Sequence, residues 1–243
     1  MQRFYIEGFT YEKEDFSVRD KNIVYQLVKV LRTRIWDEII IFNGNDPIDY
    51  VCSVKDFSKK EIELVLVNKI EKNSDNQIEI NLFQGLPNKL DKVEYILQKW
   101  VEVWVSNFNF FRSERSQKLA ISDKKKERLE RIIVEAVEQC GGNVIPKLNL
   151  DSDTDFKEEN FENTNIFMHT INNNSQSLQD FIWVKWSINT DIINIFVWPE
   201  WWFSENEIND FEEKKFSRIH LWNRILRTET AWVATAFTLL QML

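Results

Sequence analysis

Ile192-Ile193-Asn194-Ile195-Phe196-Val197-Trp198-Pro199-Glu200-Trp201-Trp202-Phe203-Ser204 is the stretch that decides the fold. Its first six residues form a near-continuous apolar run. A strand with one wet face alternates, so such a run predicts a strand buried on both faces, as in a parallel sheet. Beyond it, Ser204 and Glu207 have the spacing of a capping box that opens a short helix. Residues 218–221 read as a further strand and 229–243 as an apolar closing helix. Upstream, residues 78–83 read as a strand running through Gln84-Gly85-Leu86-Pro87 into a helix. Asp91 and Glu94 are its expected capping pair, with Ile96, Leu97 and Trp100 on one face. A second helix is predicted over 123–139, where Leu129, Ile132, Ile133, Ala136 and Val137 recur at helical spacing and Gly141 supplies a stop. Strands alternating with helices predict an α/β domain with a parallel sheet over residues 76–243.

Residues 1–72 have a different texture. Short β-branched and aromatic runs at 3–7, 38–43, 50–55 and 61–70 are separated by turn-forming clusters at 43–47 and 56–60. This predicts a small β-barrel. One helix is expected over 21–33, with Val24, Leu27, Val28 and Leu31 on one face. The polar segment 71–76 reads as the linker between the two domains.

Composition bounds the function. The chain has 243 residues, 43% hydrophobic and 29% charged, as in an ordinary globular protein. No apolar run reaches the length of a membrane span. The start of the chain lacks the apolar core of a signal peptide, so the expected location is the cytosol. The net charge of −8 weighs against nucleic acid as a partner, but the charge is uneven. Residues 151–162 hold six acids against Lys157, whereas 118–131 hold six bases against three acids. Cys52 and Cys140 have no nearby thiol partner and read as buried thiols. His169 and His220 have no partner at ligand spacing, and no metal site is expected. No P-loop, GxSxG, HExxH or GxGxxG pattern is present.

Longer strings go further. Lys99-Trp100-Val101-Glu102-Val103-Trp104-Val105 is followed by Ser113-Glu114-Arg115-Ser116 and by Glu135-Ala136-Val137-Glu138-Gln139-Cys140-Gly141. Val197-Trp198-Pro199-Glu200-Trp201-Trp202-Phe203-Ser204 and Leu221-Trp222-Asn223-Arg224-Ile225-Leu226-Arg227-Thr228-Glu229-Thr230-Ala231 come next. Arg3-Phe4, Val30-Leu31-Arg32 and Asp37-Glu38 precede them. This succession resembles the ribosomal RNA small-subunit methyltransferase E family, the uracil-N3 methyltransferases of the SPOUT superfamily. The resemblance implies a PUA-like RNA-binding barrel over 1–72. It also implies an α/β methyltransferase domain over 76–243 whose last segment threads a trefoil knot. The implied reaction uses S-adenosylmethionine to methylate N3 of a uridine in 16S ribosomal RNA of the small subunit. Homodimers with the active site near the subunit interface are implied as well.

The knot loops of that family hold the cofactor. In this chain they correspond to Val197, Trp198, Pro199, Glu200, Trp201 and Trp202, and to Leu221, Trp222, Ile225, Leu226 and Thr228. Methylation at N3 requires loss of a proton and stabilisation of the anion that forms. Arg115 and Arg227 are the expected electrostatic groups. Glu102, Glu200 and Glu229 are candidate bases or orienting groups, with an ordinary helix-start role open for Glu229. Arg3, Lys29, Arg32, Arg34, Lys118, Lys124, Lys125, Lys126 and Arg128 are candidate phosphate contacts, although solvated helix faces account for the same charges.

The chain departs from the family in one systematic way. It has ten tryptophans and five glycines, where ordinary usage of about 7% would give roughly 17 glycines. The two counts together make fifteen. Trp198, Trp201, Trp202, Trp222, Trp104 and Trp36 stand where the family pattern has glycine. Trp100, Trp183, Trp186 and Trp232 stand where small residues suit. Three readings are open: a UGA codon that the cell decodes as glycine, divergence into an inactive RNA-binding protein with a blocked pocket, or aromatics used on a membrane interface or on bases.

Overall fold

The computed structural model describes residues 1–72, 78–115, 119–150, 163–170, 174–185, 192–198, 202–221 and 226–242. The chain divides into two compact units. One comprises Met1–Asp75 with Val137–Ile145, the other Asn76–Ala136 with Pro146–Leu243. The predicted linker at 71–76 and the acidic segment at 151–162 lie largely or wholly outside the described residues.

The first unit is built on β1 (Gln2–Tyr5), β2 (Asp15–Val18), α1 (Lys21–Tyr25), β3 (Glu38–Phe42), β4 (Ile48–Phe57) and β5 (Ile62–Glu71). The five strands form one mixed sheet in the order β1-β3-β4-β5-β2, with β1 parallel to β3 and the other pairs antiparallel. Strand β2 was not expected from the sequence, because Asp15–Val18 is too short for alternation to show. Phe4, Val24, Leu27, Ile41, Cys52 and Leu64 form its core. The helix predicted over 21–33 is shorter and irregular. Asp20 caps α1 by accepting from Asn22 N at 2.8 Å and Ile23 N at 3.0 Å. A π-helical turn over Gln26–Val30 then rotates the face, leaving Leu31 exposed. A regular helix would have buried Leu31 with Leu27.

Asp49, only 2% exposed, organises this unit. It pairs with the Arg3 guanidinium, lies 3.1 Å from Lys72 Nζ, and accepts from Asn143 Nδ2 at 2.6 Å. Arg3 also donates to the Gly142 carbonyl at 2.6 Å. A carboxylate this deeply buried is tolerated only with such a full set of partners.

The second unit contains β6 (Glu79–Gly85), α2 (Leu90–Glu102), β7 (Asn107–Phe111), α3 (Asp123–Cys140) up to Ala136, and β8 (Lys147–Asn149). It continues with β9 (Thr164–Met168), β10 (Gln176–Ser177), α4 (Leu178–Lys185), β11 (Ile192–Val197), α5 (Glu205–Glu213), β12 (Ser217–His220) and α6 (Thr228–Met242). Its seven strands form an all-parallel sheet in the order β10-β12-β9-β11-β6-β7-β8. The apolar run at 192–197 is the central strand of that sheet, as predicted, and Ile193, Ile195, Phe196 and Val197 are at most 1% exposed. The Ser204–Glu207 capping box is present, with both reciprocal hydrogen bonds. The pair proposed for α2 does not form: Lys89 is the N-cap without a side-chain bond, and Glu94 is engaged by Arg128 at 2.9 Å. Cys52 is buried as expected, but Cys140 ends α3 in an exposed position. Val137 in the same turn is buried as its periodicity predicts, and the cover stops short of Cys140.

Four neighbouring strands carry asparagine at one register. Asn194 is level with Asn165 of β9 and Asn81 of β6, and Asn81 with Asn107 of β7. Their amides bond in series: Asn194 to Asn165 at 2.8 Å, Asn81 to Asn194 at 3.0 Å, and Asn107 to Asn81 at 2.6 Å. Apolar parallel strands have little to fix their alignment. A slip here would leave buried amides unpaired, so the ladder pins the register.

Candidate active site

The opposite, carboxyl ends of these strands carry the groups of interest. Gln84, fully buried near the end of β6, donates from Nε2 to the Trp198 carbonyl at 3.1 Å and to the Gly85 carbonyl at 2.9 Å. Its Oε1 is buried without a partner. An unpaired buried carbonyl is costly, and this one is free to accept from a donor. Gln84 thereby fastens the first residue after β11.

His169 follows β9 directly. Its main-chain N–H donates to Ile219 O at 2.8 Å, and its Nδ1 lies 3.1 Å from the Thr170 carbonyl. A carbonyl only accepts, so in the neutral ring the proton sits on Nδ1 and Nε2 is the acceptor. Burial lowers the pKa from its ordinary value, against raising contributions from the Thr170 carbonyl, Glu205 and Glu212, with Arg218 adding to the lowering. The ring lies 6.2 Å from that of Trp202. On the neighbouring strand β12, His220 Nδ1 is 3.0 Å from Ser175 Oγ. The loop after β7 is anchored to α5, because Glu207 accepts from Ser113 Oγ and from Glu114 N, each at 3.1 Å.

Trp198 and Trp202 dominate the space between these groups. Their indoles stack with centroids 4.7 Å apart and planes 18° from parallel. Trp198 is 6% exposed, and Trp202 has φ of 64°. The polar groups at these strand ends fit a polar ligand; the two stacked rings fill the room it would need.

The structure brings together some of the residues selected from sequence. Val197, Trp198 and Trp202 meet at the end of β11. Leu221 directly follows β12, and Leu226 and Arg227 directly precede α6, whose first residue is Thr228. Arg227 is exposed, and its carbonyl accepts from Thr230 N and Ala231 N, each at 2.9 Å. Arg115 is exposed on the loop held by Glu207. Pro199, Glu200, Trp201, Trp222, Ile225 and Lys118 lie outside the described residues, as does the side chain of Glu229 in the first turn of α6. Glu102 is placed elsewhere: it ends α2, which leads into the amino end of β7, and it pairs with Lys99 at 2.7 Å.

Among the proposed phosphate contacts, Arg3 is spent on Asp49 and Gly142 and is not offered to solvent. Lys29, Arg32 and Arg34 form an exposed basic run after α1. Lys124 and Lys126 are exposed at the start of α3, whereas Lys125 bonds the Ala120 carbonyl at 2.9 Å and Arg128 pairs with Glu94. Gln84 and His169 were not selected from sequence. A lone glutamine near the end of an apolar strand, and a lone histidine after one, carry no spacing signal. Among the described residues there is no cluster suited to a metal ion, and no helix is long and apolar enough to cross a membrane.

Three comparisons bear on this arrangement. The family model described as RNA methyltransferase domain matches residues 74–240. The ribosomal RNA small subunit methyltransferase E of Buchnera aphidicola is 32% identical, covering 98% of this chain and 92% of its own. The ribosomal RNA small subunit methyltransferase E 2 of Borreliella burgdorferi is 29% identical, over 88% and 86%. The crystal structure of the corresponding enzyme from Neisseria gonorrhoeae, bound to S-adenosylmethionine, matches with a TM-score of 0.83 and 27% identity over 98% and 96% of the two chains. An all-parallel sheet with polar groups gathered at its carboxyl ends, and a likeness that runs from end to end, place this chain in the ribosomal RNA small subunit methyltransferase E family.

Proposed function

We propose that this chain methylates N3 of a specific uridine in 16S ribosomal RNA, with S-adenosylmethionine as methyl donor. The observation that carries the reading is the near-complete match to a relative solved with that cofactor bound. When bound, the cofactor supplies an electrophilic methyl group on a sulfonium. The protein's part is to hold it at residues 197–202 and 221–228 and to manage the uracil proton. His169 is the group suited to take that proton, since its neutral ring offers Nε2 at the end of β9. Arg115 and Arg227 are the cations to steady the developing anion or position the RNA.

Residues 1–72 form the PUA-like barrel and 76–243 the methyltransferase domain in this reading. Lys29, Arg32 and Arg34, with Lys124 and Lys126, meet phosphates. A trefoil knot is supported by the pairing of β12 with β9 rather than with the preceding strand β11. The active form is a homodimer in the cytoplasm, with 16S RNA or the small subunit as partner.

Purified chain, tritiated S-adenosylmethionine and small subunits lacking the modification provide the test. Label recovered as N3-methyluridine is the expected result; label at another position, or none from folded protein, overturns it. The stacked Trp198 and Trp202 favour a second reading, an RNA-binding protein that has lost turnover because its cofactor space is filled. RNA retention without cofactor binding identifies that case.

A further inference from the structure

We propose that the ten tryptophans are glycine in the protein its cells make, the gene being decoded with UGA as glycine. Among the described residues, which include seven of the ten tryptophans, tryptophan supplies three of the five non-glycine residues with positive φ. Trp104 has φ of 63° just past α2. Its N–H donates to Val101 O at 3.1 Å, and Val105 N donates to Trp100 O at 3.1 Å. These are the two bonds of a helix end whose left-handed residue is ordinarily glycine. Helix α3 also ends on a left-handed residue, Gly141, with φ of 84°, where Gly141 N and Gly142 N both donate to Val137 O. Trp36 has φ of 74° and is the third residue of a turn closed by Asp37 N to Arg34 O at 3.1 Å, again a glycine position. An indole there is 74% exposed and gains little from packing. Arg32 and Lys215 show that other residues can be held with positive φ, but no other residue type recurs.

Side-chain positions point the same way. Trp100 and Trp232 stack between α2 and α6 at 4.8 Å, fully buried, and neither indole N–H has an acceptor. Buried tryptophan normally finds one. Trp198 and Trp202 fill the space beside Gln84 and His169. Trp183 is largely exposed on α4. One decoding rule acts on every UGA codon, so it reaches each of the ten positions that UGA encodes, including any of the three outside the described residues. Its consequence for the strand ends rests on the proposed function: with glycine at 198 and 202 the main chain itself lines the cofactor space.

Peptide mass spectrometry of the protein purified from cells that carry the gene decides the matter. Glycine at positions 36, 104 and 202 is the expected result; tryptophan at any of them overturns the proposal. S-adenosylmethionine binding is then measured by equilibrium dialysis on chains made with glycine or with tryptophan at all ten positions. Saturable binding by the glycine chain alone supports the cofactor-space consequence, and equal binding by both chains overturns it. Glycine in the native protein with no binding by the folded glycine chain leaves the residue identity intact and removes the proposed function.

Discussion

The two ends of the parallel sheet use polar residues in opposite ways. At the amino end, Asn165, Asn194, Asn81 and Asn107 satisfy one another across four strands. At the carboxyl end, Gln84 keeps an unpaired buried oxygen and His169 presents an uncommitted acceptor nitrogen. The same strands therefore carry a closed network that fixes alignment and an open set that can receive a ligand. Stability is invested at one end, and the cost of unpaired groups and strained backbone is carried at the other.

This contrast can be broken from either side. The largest effect is expected on turnover. Removing the charge in Arg227→Ala or Arg115→Ala should lower methyl transfer by roughly 10²-fold, with the denaturation midpoint unchanged. A loss of stability with full activity would reverse the assignment. His169→Gln should cut single-turnover transfer by about 10²-fold while cofactor affinity is retained. It should also flatten the acid limb of the rate profile. In the folded chain the His169 pKa lies below its ordinary 6.5, so the unfolded chain takes up the proton first as pH falls. Stability should drop as pH is lowered from 6.5 toward the folded value, and the glutamine variant should lose that slope.

At the amino end, Asn194→Leu leaves the amides of Asn165 and Asn81 without their shared partner. A destabilisation of about 2–3 kcal/mol by urea unfolding is expected. A neutral result would mean that apolar packing alone sets the register. Trp104→Gly should stabilise by about 1 kcal/mol through relief of the left-handed backbone, and Trp183→Gly, in a right-handed helix, should not. The smallest test is chemical. Burial pushes the Cys52 thiol up to about 12, so Cys140 should alkylate first and Cys52 only on unfolding.

Much of this was legible in the chain. The 192–197 run, the periodicity of α3 and the Ser204–Glu207 box are local signals, and each produced the expected element. The capping pair at Asp91 and Glu94 failed because an acid three residues from another is only an opportunity, and here Arg128 claimed Glu94. The candidate site was half legible: the loops at 197–202 and 221–228 came from resemblance, whereas Gln84 and His169 became visible only as neighbours of Trp198 and Trp202.

Local sequence determined which segments become strands and helices, where α3 and α5 begin or end, and that glycine is scarce where turns need it. It could not determine that β11 lies between β6 and β9, that four asparagines fall level, or that Gln84 meets the Trp198 carbonyl. Helical period and strand burial are written in neighbouring residues. Strand order and register arise from pairings between segments up to about a hundred residues apart, and those contacts exist only once the sheet has assembled.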